Sequence, residues 1–201
     1  MTRRKHVIGI TGNIATGKTT VVNMLAELGA DTIDADQLVH QMMGPGSELA
    51  EHLSEEFGAS VVNEDGSIDR PALGQIAFSD PEKLTRLEHL IHPHVVARMV
   101  GAIGEPGADV LVLDAIKLIE AGIADHCDEI WVVDADTETR IQRIVERNGV
   151  DEAEALRRIR AQPPQEEKLA RADRVIDNSG ALEDTLAQVT AAWTSLTGRQ
   201  V

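Results

Sequence analysis

Residues 6–22 read HVIGITGNIATGKTTVV, a short apolar run (Val7, Ile8, Ile10) that passes directly into Gly12-Asn13-Ile14-Ala15-Thr16-Gly17-Lys18-Thr19. The second half has the GxxxxGK[ST] spacing of a P-loop. Two glycines let the backbone curl with no Cβ in the way, so successive N–H groups turn inward around an anion. The helix expected to begin near Gly17 adds its unpaired N-terminal N–H groups and the positive end of its dipole. Lys18 supplies a point charge for the β- and γ-phosphates of a nucleotide, and the Thr19 hydroxyl supplies a ligand for Mg²⁺. The loop from Gly12 through Thr20 is therefore the candidate ATP-binding segment. Its context fits, because a strand precedes it and a helix follows with Val21, Leu25 and Leu28 on one face. A glycine-rich turn that binds nothing is the alternative this context disfavours.

Beyond the first helix, Thr32-Ile33 reads as a second strand ending at Asp34-Ala35-Asp36, followed by helical spacing at Leu38, Val39 and Met42. Ligands of open parallel sheets sit at the carboxyl ends of the strands. Asp34 and Asp36 alternate across such an end, so only one can face the phosphates squarely. Asp36 is the candidate functional carboxylate, with capping of the next helix as its structural alternative. Asp34 is expected to be structural.

Gly44-Pro45-Gly46 breaks the chain, and from Ser47 to about Gly104 short amphipathic helices replace the strand-helix alternation. Leu49, Leu53 and Phe57 keep helical spacing, Asn63 to Ser67 is turn-rich, and Asp69-Arg70-Pro71 opens another helix. Ser79-Asp80-Pro81 caps a further one, carrying Leu84, Leu87, Leu90 and Ile91 up to His92-Pro93. Such an all-helical insertion suits a phosphotransferase that must grip a second substrate. His92 either touches that substrate or bonds backbone freed by Pro93, and spacing alone favours the second.

Val110 to Leu113, Glu129 to Asp134 and Val175-Ile176 read as strands three to five, the first two as buried strands of a parallel sheet. Between the fourth and fifth, Thr137 is expected to cap a helix bearing Arg140, Arg143 and Arg147; Gly149-Val150-Asp151 then precedes a helix with Arg157, Arg158 and Arg160. From Arg140 to Arg174 nine basic residues face seven acids, net +2 in a chain of net charge −15. A solvated face with pairs such as Glu154–Arg158 explains part of this. A mobile arginine lid over ATP explains the concentration better, with Arg147 the best single candidate because it ends the first helix. Asp177-Asn178-Ser179-Gly180 matches the DxxG of GTPases, but no NKxD exists and the GTPase reading falls; Asn178 there could contact adenine. Leu182, Leu186, Val189, Trp193 and Leu196 read as a core-facing stripe.

With 201 residues and 42% hydrophobic content, one α/β body with excursions is expected. The charge of −15 argues against general nucleic-acid or anionic-membrane binding, and 2% aromatics without tyrosine removes stacking platforms for single strands. A single cysteine, Cys127, excludes an internal disulfide. Arg3, Arg4 and Lys5 precede too short an apolar stretch for a signal peptide, and no run approaches 18 apolar residues, so a cytoplasmic protein without a membrane span is expected.

The ordered segments ITGNIATGKTTV, IDADQLVHQMMGPG, DGSIDRPALGQIAFSDPEKLTRLEHLIHPHV, DEIWVVDADTETRIQRIVERNGV and RIRAQPPQEEKLARADRVIDNSG together resemble dephospho-coenzyme A kinases over nearly the whole chain. The resemblance implies a three-layer P-loop kinase core with a five-stranded parallel sheet, residues 1–43, 108–146 and 172–201 forming the core. It implies a helical acceptor-binding insertion at 44–107 and a helical lid at 147–171. The implied reaction is ATP-dependent phosphorylation of the ribose 3′-hydroxyl of dephospho-coenzyme A, giving coenzyme A and ADP with Mg²⁺. Asp36 then lies at the reaction centre and helps hold the metal through water, Arg70 and His92 lie on the acceptor side, and Asn178 lies near adenine; no oligomer is implied. Two departures stand out. The family loop usually reads GGIGSGKS, whereas Asn13, Ala15 and Thr16 replace two glycines and a serine. Asp114-Ala115-Ile116-Lys117-Leu118-Ile119-Glu120 stands where a Pro-Leu-Leu-Phe-Glu segment is usual, leaving Lys117 open between a phosphate-facing and a surface role. Rival readings are another small-molecule P-loop kinase acting on nucleosides or nucleotides, and a nucleotide-sensing regulator that transfers nothing.

Overall fold

The apolar runs become five strands of one sheet in a computed structural model that describes residues 4–198; Arg3 of the basic N-terminal run lies outside the described residues. The strands are β1 (His6–Thr11), β2 (Asp31–Asp34), β3 (Val110–Asp114), β4 (Glu129–Asp134) and β5 (Arg174–Asp177), in the spatial order β2-β3-β1-β4-β5. β1 runs parallel to β3, with Ile10 opposite Asp114, and to β4, with Thr11 opposite Val132; β5 runs parallel to β4. The helices are α1 (Lys18–Glu27), α2 (Ala35–Met42), α3 (Glu48–Phe57), α4 (Arg70–Phe78), α5 (Pro81–Ile103), α6 (Thr137–Asn148), α7 (Glu152–Arg160), α8 (Gln165–Leu169) and α9 (Leu182–Thr197).

The chain divides into two compact units, one made of residues up to Thr32 and from Ile103 onward, the other of Ile33–Ala102. In the first, alternate strand residues Ile8, Ile10, Val110, Val112, Trp131 and Val133 pack with Val21 and Leu25 of α1 and Val189 and Trp193 of α9. Burial on both faces explains why these strands read as unbroken apolar runs. The stripe on α9 is rotated from the expected one. Leu182 and Leu186 are 57% and 44% exposed, while Thr185, Val189, Ala192 and Trp193 are buried. Thr185 is drawn inward because its hydroxyl donates to the buried Asn178 Oδ1 at 2.9 Å. Thr137 likewise does not cap α6. Asp136 does, accepting from Thr139 N at 2.7 Å, and Thr137 becomes the first helical residue.

The second unit has its own core of Leu49, Leu53, Val61, Ile68 and Leu73, with Phe57, Leu87, Leu90 and Ile91 packed on it. Ser47 caps α3 and Asp69 caps α4, where Pro71 sits in the first turn. α2 belongs to this unit, which thus begins well before the Gly44-Pro45-Gly46 break. One antiparallel bridge, Val62 to Ile68, interrupts its helical character and closes the turn around Asn63 to Ser67. The expected stop at His92-Pro93 is also absent, since α5 runs through Pro93. A proline inside a helix costs about 3 kcal/mol through the lost N–H bond and the clash with the carbonyl four residues back. Burial of Val95, Met99 and Ala102 beyond it offsets that cost. Among the described residues no helix is long and apolar enough to cross a membrane.

Candidate active site

The P-loop lies between β1 and α1, in the first unit. Gly17 is the N-cap of α1, at φ 87°, and no side chain caps that helix. By contrast α2, α3, α4, α6 and α7 are capped by Asp34, Ser47, Asp69, Asp136 and Asp151. An uncapped helix start leaves its first N–H groups to a ligand. Both motif glycines are required by close approach. A Cβ on Gly12 would lie 2.6 Å from the Val133 carbonyl oxygen, and one on Gly17 would overlap the Asn178 side-chain nitrogen.

Ala15 stands at φ 62° where the resembling family has glycine. An L-residue in this region costs about 1–2 kcal/mol, so something must hold it. Arg143 donates to the Ala15 and Thr16 carbonyls, both at 3.2 Å, and to the Asn178 carbonyl at 2.7 Å. Arg140 donates to the Ile14 carbonyl at 2.9 Å, and burial pushes its guanidinium down from the ordinary value against the charges of Asp134 and Glu166. Asn178 Nδ2 donates to the Thr16 carbonyl at 2.8 Å. In a planar trans peptide the C=O and the following N–H point in opposite directions. Pinning the carbonyls of Ile14 and Thr16 therefore turns the N–H groups of Ala15 and Gly17 the other way. Asn178 acts here as a buried buttress, its side chain donating to Thr16 and accepting from Thr185.

Lys18 Nζ forms an ion pair with Asp114 Oδ1, and the residue Asp114 is 2% exposed. The Ile10–Asp114 register sets this carboxylate beside the end of the strand that enters the loop. Thr19 follows Lys18 on α1 with its side chain exposed. Thr19 and Asp114 are hard oxygen donors of the kind Mg²⁺ prefers. Among the described residues there is no group of three or more His, Cys, Asp or Glu that could hold a metal ion.

Arg147 is the penultimate residue of α6, exposed, with Nε 3.3 Å from Asn148 Oδ1. It does not join Arg140 and Arg143 on the loop. Gly149 at φ 65° ends α6. In α7 Glu154 pairs with Arg158 at 2.8 Å and with Arg157, so these two arginines fit the solvated-face reading. Beyond α7 the chain returns to the P-loop: Gln162 Oε1 accepts from Ile14 N at 2.7 Å, Gln165 Oε1 from Asn13 N at 3.0 Å, and the Pro163 carbonyl from Asn13 Nδ2 at 2.9 Å.

In the second unit Asp34 caps α2, accepting from Asp36 N at 2.7 Å and Gln37 N at 3.1 Å. Asp36 lies in the first turn and caps nothing. Arg70 lies 2.9 Å from His40 Nδ1, and the two line an open cavity of about 600 Å³ with Met43, Gly44, Ile68 and Asp69. His92 is half-buried on α5.

The family model described as Dephospho-CoA kinase matches residues 6–184. The chain belongs to the dephospho-CoA kinase family. A dephospho-CoA kinase of Symbiobacterium thermophilum is 47% identical over 196 residues, covering 96% of this chain and 82% of its own length. One from Carboxydothermus hydrogenoformans is 44% identical over 186 residues, covering 91% and 90%. A Thermus thermophilus crystal structure shares 36% identity at a TM-score of 0.82, covering 96% of this chain and 98% of its own. In this dephospho-CoA kinase family member, the P-loop contacts of Arg140, Arg143, Gln162 and Gln165 and the Lys18–Asp114 pair were absent from the sequence-derived site. An apolar strand ending in aspartate, VLVLD, was the one available signal for Asp114.

Cys127 lies outside this machinery. Its Sγ donates to the Ile123 carbonyl at 3.4 Å, and burial, reinforced by Asp128 and Asp125, pushes the thiol up to about 12. At pH 8 such a thiol holds about 10³-fold less thiolate than free cysteine. Iodoacetamide should therefore label native Cys127 at least about 10²-fold more slowly than the denatured chain; equal rates in both would contradict this burial.

Proposed function

We propose that this chain transfers the γ-phosphoryl group of ATP to the ribose 3′-hydroxyl of dephospho-coenzyme A, releasing coenzyme A and ADP in the cytoplasm. The observation that carries the reading is the uncapped start of α1 behind a loop whose carbonyls are pinned by Arg140, Arg143 and Asn178. That loop is an anion cradle built before the anion arrives, and preorganisation of this kind is what lowers the barrier for phosphoryl transfer. Lys18, parked on Asp114, exchanges that partner for the β- and γ-phosphates. Thr19 and Asp114 would hold Mg²⁺, which when bound would neutralise charge developing on the phosphates.

Asp36 orients the attacking hydroxyl and takes its proton as the new O–P bond forms, while the β–γ bridging oxygen leaves with the bonding electrons on ADP. Support comes from its place in the chain, because Asp36 follows directly on the carboxyl end of β2, the end at which ligands of a parallel sheet bind. Arg70 with His40 forms the cation-bearing wall of a cavity large enough for part of the acceptor, and His92 lies in the same helical unit. Arg147 is the exposed cation at the start of the lid. The test is ADP release with ATP, Mg²⁺ and dephospho-coenzyme A, with coenzyme A identified by mass. ADP release driven by a nucleoside monophosphate but not by dephospho-coenzyme A would replace this acceptor with another, and no product with any acceptor would leave a nucleotide sensor.

A further inference from the structure

The five-residue helix α8 turns the wrong side chains inward. Gln165 is 8% exposed and Lys168 is 4% exposed, while Glu166 and Glu167 between them are exposed. Lysine is almost never so buried without specific partners, and burial costs an ammonium its hydration. Here the cost is visible as a Lys168 ammonium pushed down by burial, with Lys18 and Lys117 adding to the shift and Glu120 opposing it. A pair of aliphatic side chains would hold a short helix against the sheet at least as well. The polar pair therefore needs an explanation other than packing.

Its partners supply one. Gln165 and Lys168, three residues apart, share one face of the helix. Gln165 accepts from Asn13 N at 3.0 Å and donates to the Val133 carbonyl at 3.0 Å, tying the first turn of the P-loop to the end of β4. This is the same Val133 carbonyl that only a glycine at position 12 can approach. Lys168 Nζ donates to the Ile116 carbonyl, lies 3.4 Å from Thr11 Oγ1 and 3.6 Å from Glu120 Oε1. Thr11 Oγ1 also donates to that carbonyl, at 2.9 Å, and Ala115 N donates to the Ile10 carbonyl at 3.1 Å. The segment that carries Asp114 is thus fixed from both sides.

We infer that Gln165 and Lys168 are positioning residues for phosphoryl transfer: α8 is a fixed key that sets the P-loop entrance and the Asp114 segment in register. The inference rests on the proposed phosphoryl transfer, but part of its test does not depend on the acceptor. Lys168→Met keeps length and removes the charge. It should weaken MgADP binding, measured by calorimetry, at least tenfold and lower kcat at least thirtyfold, with the acceptor KM within twofold. Lys168→Arg should recover much of both losses. Thr11→Val and Gln165→Leu should shift MgADP affinity in the same direction by a few fold, and they carry the test if Lys168→Met does not fold. Native MgADP affinity and kcat in these variants, even with a lower unfolding midpoint, would reduce α8 to a packing element and overturn the assignment. Failure of the acceptor reading would appear instead as wild-type protein that binds MgADP yet leaves dephospho-coenzyme A unchanged.

Discussion

Lys18→Ala is expected to lower kcat by about 10²- to 10³-fold, the loss typical of removing one preorganised donor from developing transition-state charge. The ion pair with Asp114 complicates that experiment in an informative way. Asp114 is 2% exposed, and in the variant its carboxylate is left without the ammonium that partners it. Breaking a buried pair from one side costs about 3 kcal/mol or more, because the remaining charge stays desolvated. Turnover and stability should therefore fall together in Lys18→Ala. Adding Asp114→Asn removes the buried charge and should restore the unfolding midpoint toward that of the parent, while turnover stays low because the ammonium is gone and an Mg²⁺ ligand is lost with it. A double variant that regained turnover as well would assign the original loss to misfolding, and an unchanged rate in the single variant would remove Lys18 from the phosphate site.

The fold was legible because its signals are local and redundant. An apolar run, two glycines and a helical stripe specify β1, the P-loop and α1 without reference to anything distant, and the buried parallel strands announce themselves as unbroken apolar segments. The failures share a different character. The stop assigned at Pro93 ignored that Val95, Met99 and Ala102, beyond the proline, bury enough apolar surface to carry the helix through. The stripe drawn on α9 ignored Thr185, whose inward turn depends on an asparagine seven residues earlier that is itself held by the P-loop. Tertiary contacts decide both cases, and a periodicity count contains none.

The site was legible to a lesser degree, for the same reason. Spacing identifies what the P-loop offers a ligand, but the groups that shape the loop come from 126 to 162 residues away and act on its carbonyl side. Arg140 and Arg143 are visible in the sequence as part of a basic cluster, with the lid expected only from residue 147 onward. The structure divides the cluster. Arg140 and Arg143 grip the loop from below, Arg157 and Arg158 are balanced by Glu154, and Arg147 remains exposed between them. Charge counting finds such a cluster yet cannot say which members are structural, since one guanidinium serves a carbonyl and a phosphate equally well.

Asp36→Asn is expected to reduce kcat by about 10²- to 10⁴-fold, the range for loss of a positioned general base, while ATP binding changes little. The variant is unusually clean because the capping role lies elsewhere. Asp34 Oδ1 already accepts from the N–H groups of Asp36 and Gln37, so α2 keeps its N-terminus when the Asp36 carboxylate becomes an amide. The P-loop lies in the other compact unit and should keep its affinity for nucleotide, which calorimetry with MgATP would verify. Asp34→Ala is the matching control. It should cost about 1 kcal/mol of stability through the lost cap and leave the chemical step far less affected. The two aspartates stand two residues apart and predict opposite patterns, one losing turnover at constant stability and the other losing stability at nearly constant turnover. Should Asp36→Asn turn over dephospho-coenzyme A at close to the parent rate, the proton must leave by another route and Asp36 loses the role of base.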